Sequence, residues 1–412
     1  MAKAAAKRPA RRTMAETGGS YYLLLGIVVA LSLFGVVMVF SASHATALAD
    51  YGDSFYFIKK QLVWMIIGFV GMFILARTDW RFVRRYAVIL YVMATGLLAM
   101  VLVTGYGVAA NGAARWIDLG PVRFQPSEVA KFALILFVAT YLAKRRETIG
   151  EWRELALPVL PALFLMAALI MLQPDLGTTL IVGAVVYVML IVAGARWRHL
   201  LVLGGSAIAA VALLIVTEGY RLTRFTSFLN PWKDPQNSGF QIIQSLIALG
   251  SGHWFGVGLG MSKQKFFYLP AAHTDFILAI IGEELGLLGT LAVVAAFGVL
   301  AYAGIKIALR ATTHFDRLIA TGITAMIMVQ AVLNMGAVSG ILPITGVPLP
   351  FVSYGGTSLS FTLAAVGVLL NIAAHERKSN EGIIDARGYF RGGNGRPSVS
   401  GSRSGRRTRA TS

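Results

Sequence analysis

His273, Thr274 and Asp275 stand where a long polar, Gly-rich segment gives way to the apolar run Phe276-Ile277-Leu278. A carboxylate entering a membrane helix is costly to keep there, and such residues mark functional sites by default. Asp275 is therefore the candidate catalytic residue, acting as a general base. A rival reading needs no chemistry: an aspartate in the first turn of a helix, with Thr274 as N-cap, is stabilised by the helix dipole by about 0.3–1 kcal/mol. The dipole lowers a carboxyl pKa, whereas a base working near neutrality benefits from a raised one, and burial opposes the dipole. The residues alone leave that balance open. Glu283 and Glu284 follow about 12–13 Å deeper along the same helix, at about 80° and about 180° around its axis from Asp275. Only Glu283 is placed to share a cavity with Asp275 and so joins the candidate substrate-binding residues. Both glutamates serve equally well as acceptors between packed helices.

Cations supply the complementary chemistry. Arg115 lies in Asn111-Gly112-Ala113-Ala114-Arg115-Trp116-Ile117-Asp118-Leu119-Gly120, and Lys131 about one turn inside the helix that starts near Pro126. Lys131 either pairs with Glu128 at i,i+3, for a few tenths of a kcal/mol, or binds an anionic head group. Gly256, Gly258 and Gly260 precede Ser262, Lys263 and Lys265. The spacing fits neither nucleotide-loop pattern, but adjacent amides with Lys263 and Lys265 suit a diphosphate. His273, beside Asp275, and Ser353, in the Pro- and Gly-dense stretch 345–358, complete the candidate substrate-binding set. Irregular backbone near membrane depth is tolerated only where protein buries it or it lines a wet cavity, so that stretch either walls the site or is a surface turn. The six histidines show no ligand spacing, which argues against a permanent metal site. A labile Mg²⁺ or Mn²⁺ bridging Asp275 and a phosphate is the one metal role left open, and no tightly bound cofactor is expected.

The elements that hold these residues are set by composition. With 56% hydrophobic residues, 14% charged and a mean hydropathy of +0.69, the chain is an all-α integral membrane protein. Apolar runs at about 21–43, 58–77, 86–106, 127–143, 156–173, 178–195, 199–217, 274–303, 317–340 and 357–375 are each of a length to cross a bilayer, and give ten transmembrane helices. Most of the 37 Lys and Arg residues fall on one side of that arrangement, including Lys3 to Arg12, Arg77 to Arg85, Lys144 to Arg153 and Arg377 onward. Both termini are therefore cytoplasmic. Residues 1–20 form a basic tail, 21–376 the membrane domain with a large extracytoplasmic loop at 218–273 between helices 7 and 8, and 377–412 a basic disordered tail. The net charge of +18 belongs mainly to the tails and fits anionic lipid rather than nucleic acid. Residues 21–43 are too long for a signal peptide's apolar core and read as a retained span. Within the loop, Phe240, Ile243, Leu246, Ile247 and Leu249 form one apolar face, with Gln241, Gln244, Ser245 and Ala248 opposite, predicting an amphipathic helix on the bilayer or across the bundle mouth. Absence of cysteine excludes disulfides and thiol chemistry.

GAARWIDLG, QPSEVAK, QPDLGTT, NPWKDPQNSGFQIIQSLIALGSG, FYLPAAHTDFILAIIGEELG and PLPFVSYGGTS occur in that order. On these motifs, over about residues 20–377, the chain resembles the SEDS family (shape, elongation, division and sporulation), more its division-type FtsW branch than its elongation-type RodA branch. The resemblance implies a ten-span peptidoglycan glycosyltransferase that polymerises lipid II, an undecaprenyl-diphosphate-linked disaccharide-pentapeptide, at the outer leaflet during septal wall synthesis. It also implies a place in the bacterial inner membrane at the division septum, beside a class B penicillin-binding transpeptidase and other divisome membrane proteins. The family's essential aspartate falls on Asp275 and its functional arginine and lysine on Arg115 and Lys131. Three alternatives stand beside this reading: a lipid II flippase needing no base, an elongation-type polymerase, and a non-catalytic scaffold.

Overall fold

A computed structural model describes residues 14–103, 107–110, 113–118, 123–145, 151–153 and 157–391. The N-terminal cations Lys3 to Arg12, Asn111-Gly112, Leu119-Gly120, Arg146 and the tail beyond Arg391 lie outside the described residues. Among the described residues a helix covers most of each of the ten apolar runs. Eight of these helices are long and apolar enough to cross a membrane: α1 (Met14–Tyr51), α2 (Tyr56–Arg77), α5 (Pro126–Lys144), α7 (Leu176–Ala193), α8 (Trp197–Val216), α11 (Ile277–Arg310), α12 (His314–Val338) and α13 (Thr357–Arg391). The runs at 86–106 and 156–173 form the shorter apolar helices α4 (Ala87–Val103) and α6 (Val159–Leu172). A short α3 (Trp80–Arg85) precedes α4, while α9 (Gly219–Leu229) and α10 (Phe240–Ser251) occupy the loop before α11.

The fold is not wholly helical. Strands β1 (Gly107–Ala110), β2 (Ala113–Asp118) and β3 (Arg123–Phe124) form an antiparallel sheet in the order β1-β2-β3, with Val108 opposite Trp116 and Ile117 opposite Phe124. Asn111-Gly112 is the dipeptide that most favours a tight hairpin, and it joins β1 to β2 in sequence.

Helices α5, α12 and α13 form the packed centre, whereas α8 has no buried residue. Close packing without a hydrophobic drive between helices relies on small residues. A Cβ on Gly35 of α1 would come within 2.8 Å of the Val352 Cα, and one on Gly177 of α7 within 2.8 Å of the Thr345 carbonyl oxygen. These glycines let the 345–352 stretch sit against the helices.

Helix α11 is broken at Gly286 (φ 71°, ψ −166°). A break frees backbone groups that cannot stay unpaired at membrane depth. The segment after α10 satisfies them: Val257 and Gly258 N–H donate to the Glu283 and Glu284 carbonyls (2.9 and 3.1 Å), and Leu287 and Leu288 N–H donate to those of His253 and Trp254 (2.8 and 3.2 Å).

Of the predicted apolar face of α10, Ile243 is buried and Ile247 is exposed, and Ile242, Ser245 and Ala248 complete the side turned into the protein. The small Ser245 lets α10 approach the end of α12, donating its hydroxyl to the Val338 carbonyl at 2.7 Å, a close approach that small residues permit. Helix α13 runs to Arg391 instead of stopping near residue 377. Residues 377–391 contain no proline, and extending an existing helix avoids the cost of nucleating one.

Candidate active site

A cavity of about 380 Å³ opens at one end of the bundle. Its walls come from the starts of α5, α7 and α13, the end of α8, the helix α9, the turn before α11, and residues 343–348. Three helices thus begin at the cavity, and helix N-termini favour negative charge.

Asp275 lies on that wall. It is not in the first turn of α11, which starts at Ile277 with Phe276 as N-cap. Instead a tight turn holds it: the N–H groups of Thr274 and Asp275 both donate to the Ala271 carbonyl at 3.1 Å, and Ala271 has a φ of 57°. Thr274 spends its hydroxyl on the same carbonyl, at 3.1 Å, so the helix-capping arrangement does not form. Among the described residues no hydrogen bond engages the Asp275 carboxylate. Burial pushes its pKa up to about 6, opposed by the charge of Arg224, raised further by Asp175, and opposed more weakly by Arg115. A carboxyl with that pKa is ionised at neutral pH yet basic enough to take a proton.

Asp275 is fixed from behind by α12. Asn334 Nδ2 donates to the Asp275 carbonyl (2.7 Å) and to that of Val347 (2.8 Å). One turn earlier, Gln330 Nε2 donates to the Pro348 carbonyl (3.0 Å), while its Oε1 accepts from Lys131 Nζ (3.1 Å). Lys131 is buried and also pairs with Glu128 at 3.0 Å, and both line the cavity. The i,i+4 pair Gln330 and Asn334 therefore ties the candidate base, a cation and the 347–348 wall to one helix face.

Arg115 reaches the cavity from β2. Its Nε donates to the Gln173 carbonyl at 2.9 Å, and a terminal nitrogen donates to that of Pro174. This anchors the sheet to the turn before α7, where Asp175 caps the helix through Thr178 N–H (3.0 Å) and the Thr178 hydroxyl (2.8 Å). Arg221 and Arg224 of α9 line the opposite part of the cavity.

The structure thus gathers Asp275, Arg115 and Lys131 and leaves five other candidates outside the cavity lining. Lys265 is buried against Glu284 (3.0 Å) and the Gly260 carbonyl (2.6 Å). Lys263 is exposed, and its N–H donates to Glu283 Oε1 at 2.9 Å. Glu283 also accepts from the Ser262 hydroxyl, so it grips the preceding loop and shares nothing with Asp275. The Gly-rich amides are spent likewise, with Gly256 N–H on the Gly252 carbonyl and Gly258 N–H on that of Glu284. His273 packs beneath the wall between Phe57 and Tyr354, with ring centroids 4.4 and 5.8 Å away. Burial lowers its pKa to about 4, with Asp50 acting the other way, so it is neutral and carries no charge for an anion. Ser353 turns its hydroxyl to the Leu349 N–H (2.9 Å). For Lys265, Glu283 and Ser353, backbone left unpaired by the irregular segments takes the polar group first.

Two residues of the site escape a reading of the sequence, whereas Arg221 and Arg224 are among the 218–273 loop cations expected to meet a diphosphate, and their i,i+3 spacing puts them on one helical face. Gln330 and Asn334 are uncharged amides inside an apolar run, and their i,i+4 spacing is the available signal.

Residues 21–378 match the family model of the FtsW, RodA and SpoVE cell cycle proteins. Among relatives, the stage V sporulation protein E of Bacillus subtilis is 44% identical over 86% of this chain and 97% of its own length. A protein of Geobacter sp. (strain M18) named "Probable peptidoglycan glycosyltransferase FtsW" is 43% identical over 88% of this chain and 99% of its own. Among solved structures, a chain from a peptidoglycan synthase complex that coordinates polymerization and crosslinking superposes with a TM-score of 0.70 at 34% identity, covering 86% of this chain and 98% of that one. The rod shape determining protein RodA of Thermus thermophilus gives 0.65 at 32% identity, covering 86% and 96%.

Proposed function

Since the chain belongs to the FtsW, RodA and SpoVE family of cell cycle proteins, we propose that it is a peptidoglycan glycosyltransferase polymerising lipid II, with Asp275 as its general base. The observation that carries this reading is the placement of one unengaged carboxylate in a cavity whose other charged walls are cationic or already paired. The ionised Asp275 takes the proton from the C4 hydroxyl of an acceptor N-acetylglucosamine. That oxygen attacks C1 of a donor N-acetylmuramic acid, and the lipid diphosphate leaves from the opposite face with inversion. Arg115, Lys131, Arg221 and Arg224, with the three helix N-termini, are placed to bind the diphosphate and stabilise its charge as it departs. Among the described residues lining the cavity, a labile Mg²⁺ or Mn²⁺ would find only the Asp275 carboxylate unengaged, because Asp175 caps α7 and Glu128 pairs with Lys131, and no step is assigned to a metal.

In the full arrangement α4 and α6 join the eight long helices as ten spans. Both termini are cytoplasmic, the cavity and the 218–273 loop face outward, and the chain works in the bacterial inner membrane at the division septum. The partner class is a penicillin-binding transpeptidase of class B, alongside other divisome membrane proteins; the complex to which the related chain belongs couples polymerization to crosslinking, which supports such a partnership. Incubating the purified chain with lipid II, with and without the transpeptidase, and resolving the products on a gel tests the reading. Glycan strands are expected, and transfer of lipid II across vesicles without strands would replace the polymerase with a flippase.

A further inference from the structure

The loop between α10 and Asp275 presents an apolar surface that the active site does not use. Trp254, Phe255, Leu259, Met261, Phe266 and Phe267 are all exposed, Phe255 at 80% and Phe267 at 62%. A patch of this size on protein marks contact with another phase or partner.

Three observations bear on what covers it. The first is depth. Lys306 and Arg310 mark one end of α11, and about 20 residues span the hydrocarbon core, so counting back from Lys306 brings the opposite boundary to Gly286. The loop is hydrogen-bonded to α11 at that level, through Glu283, Glu284, Leu287 and Leu288. Aromatic side chains concentrate at such boundaries.

The second is backbone satisfaction, which contact with lipid requires of irregular chain. Beyond the pairs at the helix break, Glu283 accepts from Lys263 N–H (2.9 Å) and Gln264 N–H (3.4 Å), and Glu284 accepts from Ser262 N–H (3.4 Å). Glu284 is itself held by Lys265 and by the Ser41 hydroxyl of α1 at 2.7 Å. The two carboxylates at the boundary thus fold the polar backbone inward and leave the side chains outward.

The third is continuity. Phe266 meets His44 of α1 edge to face, with centroids 6.0 Å apart. The patch runs on into exposed Leu48 of α1 and Leu287, Leu288 and Leu291 of α11, which are faces of membrane-crossing helices. Lys263, exposed within the patch, suits a lipid phosphate at the boundary, with its stem along apolar surface.

We infer that residues 252–268 are an interfacial anchor whose aromatic and aliphatic side chains insert into the cavity-side leaflet, clamped to α11 by Glu283 and Glu284. The occupant of the patch is the glycerol and upper acyl region of the bilayer. The anchor enters the turn that carries Asp275, so it sets the height of the site above the leaflet that delivers a lipid-linked substrate.

The absence of cysteine makes the test direct. Single cysteines replace Phe255, Leu259 or Phe267 in the full chain, with exposed Lys233 as an aqueous reference and exposed Leu291 as a lipid-facing one. Each is labelled with an environment-sensitive NBD probe and reconstituted in phosphatidylglycerol–phosphatidylethanolamine vesicles. The expected result is blue-shifted emission at the three loop positions, loss of emission with lipids brominated high in the acyl chain, and protection from aqueous iodide, which quenches the probe at position 233. Iodide quenching at the loop equal to that at position 233 would overturn the inference. So would shielding that appears only when a second membrane protein is added, which would make the patch a protein-docking face.

Discussion

Lys265 offers the sharpest separation of a structural cation from a substrate-binding one. Its ammonium group and the Glu284 carboxylate are both at 0% side-chain exposure and 3.0 Å apart, and Ser41 donates to the same carboxylate at 2.7 Å. Removing one member of such a pair leaves an uncompensated buried charge and costs about 3–5 kcal/mol, whereas replacing both with well-packed neutral groups is often neutral. Lys265→Met should therefore lower the midpoint of thermal unfolding in detergent markedly, and Glu284→Gln should do the same. The double variant should recover most of the loss, because the amide introduced by Glu284→Gln can still accept from Ser41 while no lone charge remains. The coupling read from this double-mutant cycle should exceed about 2 kcal/mol, toward the upper end for contacting residues. The second readout is KM for lipid II, measured on the folded fraction at a temperature well below the midpoint. It should stay at the wild-type value in the double variant. A many-fold rise in KM with unchanged thermal stability would refute the reasoning and return Lys265 to the substrate.

Polymerisation should rise with pH through about 6, because Asp275 must be ionised to act and its pKa lies there; at pH 5 the rate should be about a tenth of the plateau, as one unit below a pKa leaves about a tenth of the base ionised. The stability consequence has the opposite sign, since the folded chain holds this proton more tightly than the unfolded one, so the carboxyl destabilises the fold as pH climbs from about 4 to about 6. Arg224→Gln removes the largest charge opposing the upward shift and should move the pH-rate midpoint higher. Gln330→Ala unties Lys131 from the 348 wall and should raise KM for lipid II by several-fold with a smaller change in kcat, whereas Gln330→Glu should hold Lys131 but weaken anion binding. Gly286→Ala places a Cβ at φ 71° within 2.6 Å of Trp254 backbone atoms, and should cost at least about 1–3 kcal/mol in stability, visible as a lowered unfolding midpoint.

Much of this molecule can be read from its residues. Uninterrupted apolar runs must become helices in lipid, so a helix falls within each of the ten predicted stretches. Asp275 and Lys131 stand out as charged residues near helix ends and Arg115 as a cation in the polar segment before α5, and all three line one cavity. What a sequence hides is pairing. Lys265, Glu283 and Ser353 carry the right chemistry for a ligand, but irregular backbone elsewhere in the chain claims each of them first. Nothing local to Lys265 announces that Glu284 will meet it, since the contact depends on a helix break at Gly286. The sheet at 107–124 is hidden for the opposite reason: its signal, Asn111-Gly112, is local and is swamped in a chain dominated by helical periodicity. The inner side of α10 sets the small Ser245 and Ala248 beside Ile242 and Ile243, a combination that only the neighbouring helix decides.

The central claim is that Asp275 removes a proton during glycan polymerisation. It is tested most directly by the polymerisation rate of purified Asp275→Asn fed with lipid II, beside a measurement of its lipid II affinity. A general base is worth about 10²–10⁴ in rate, so the variant should bind lipid II as the parent does and elongate glycan at least about 100-fold more slowly. Long glycan strands made by Asp275→Asn at the parental rate would contradict the account.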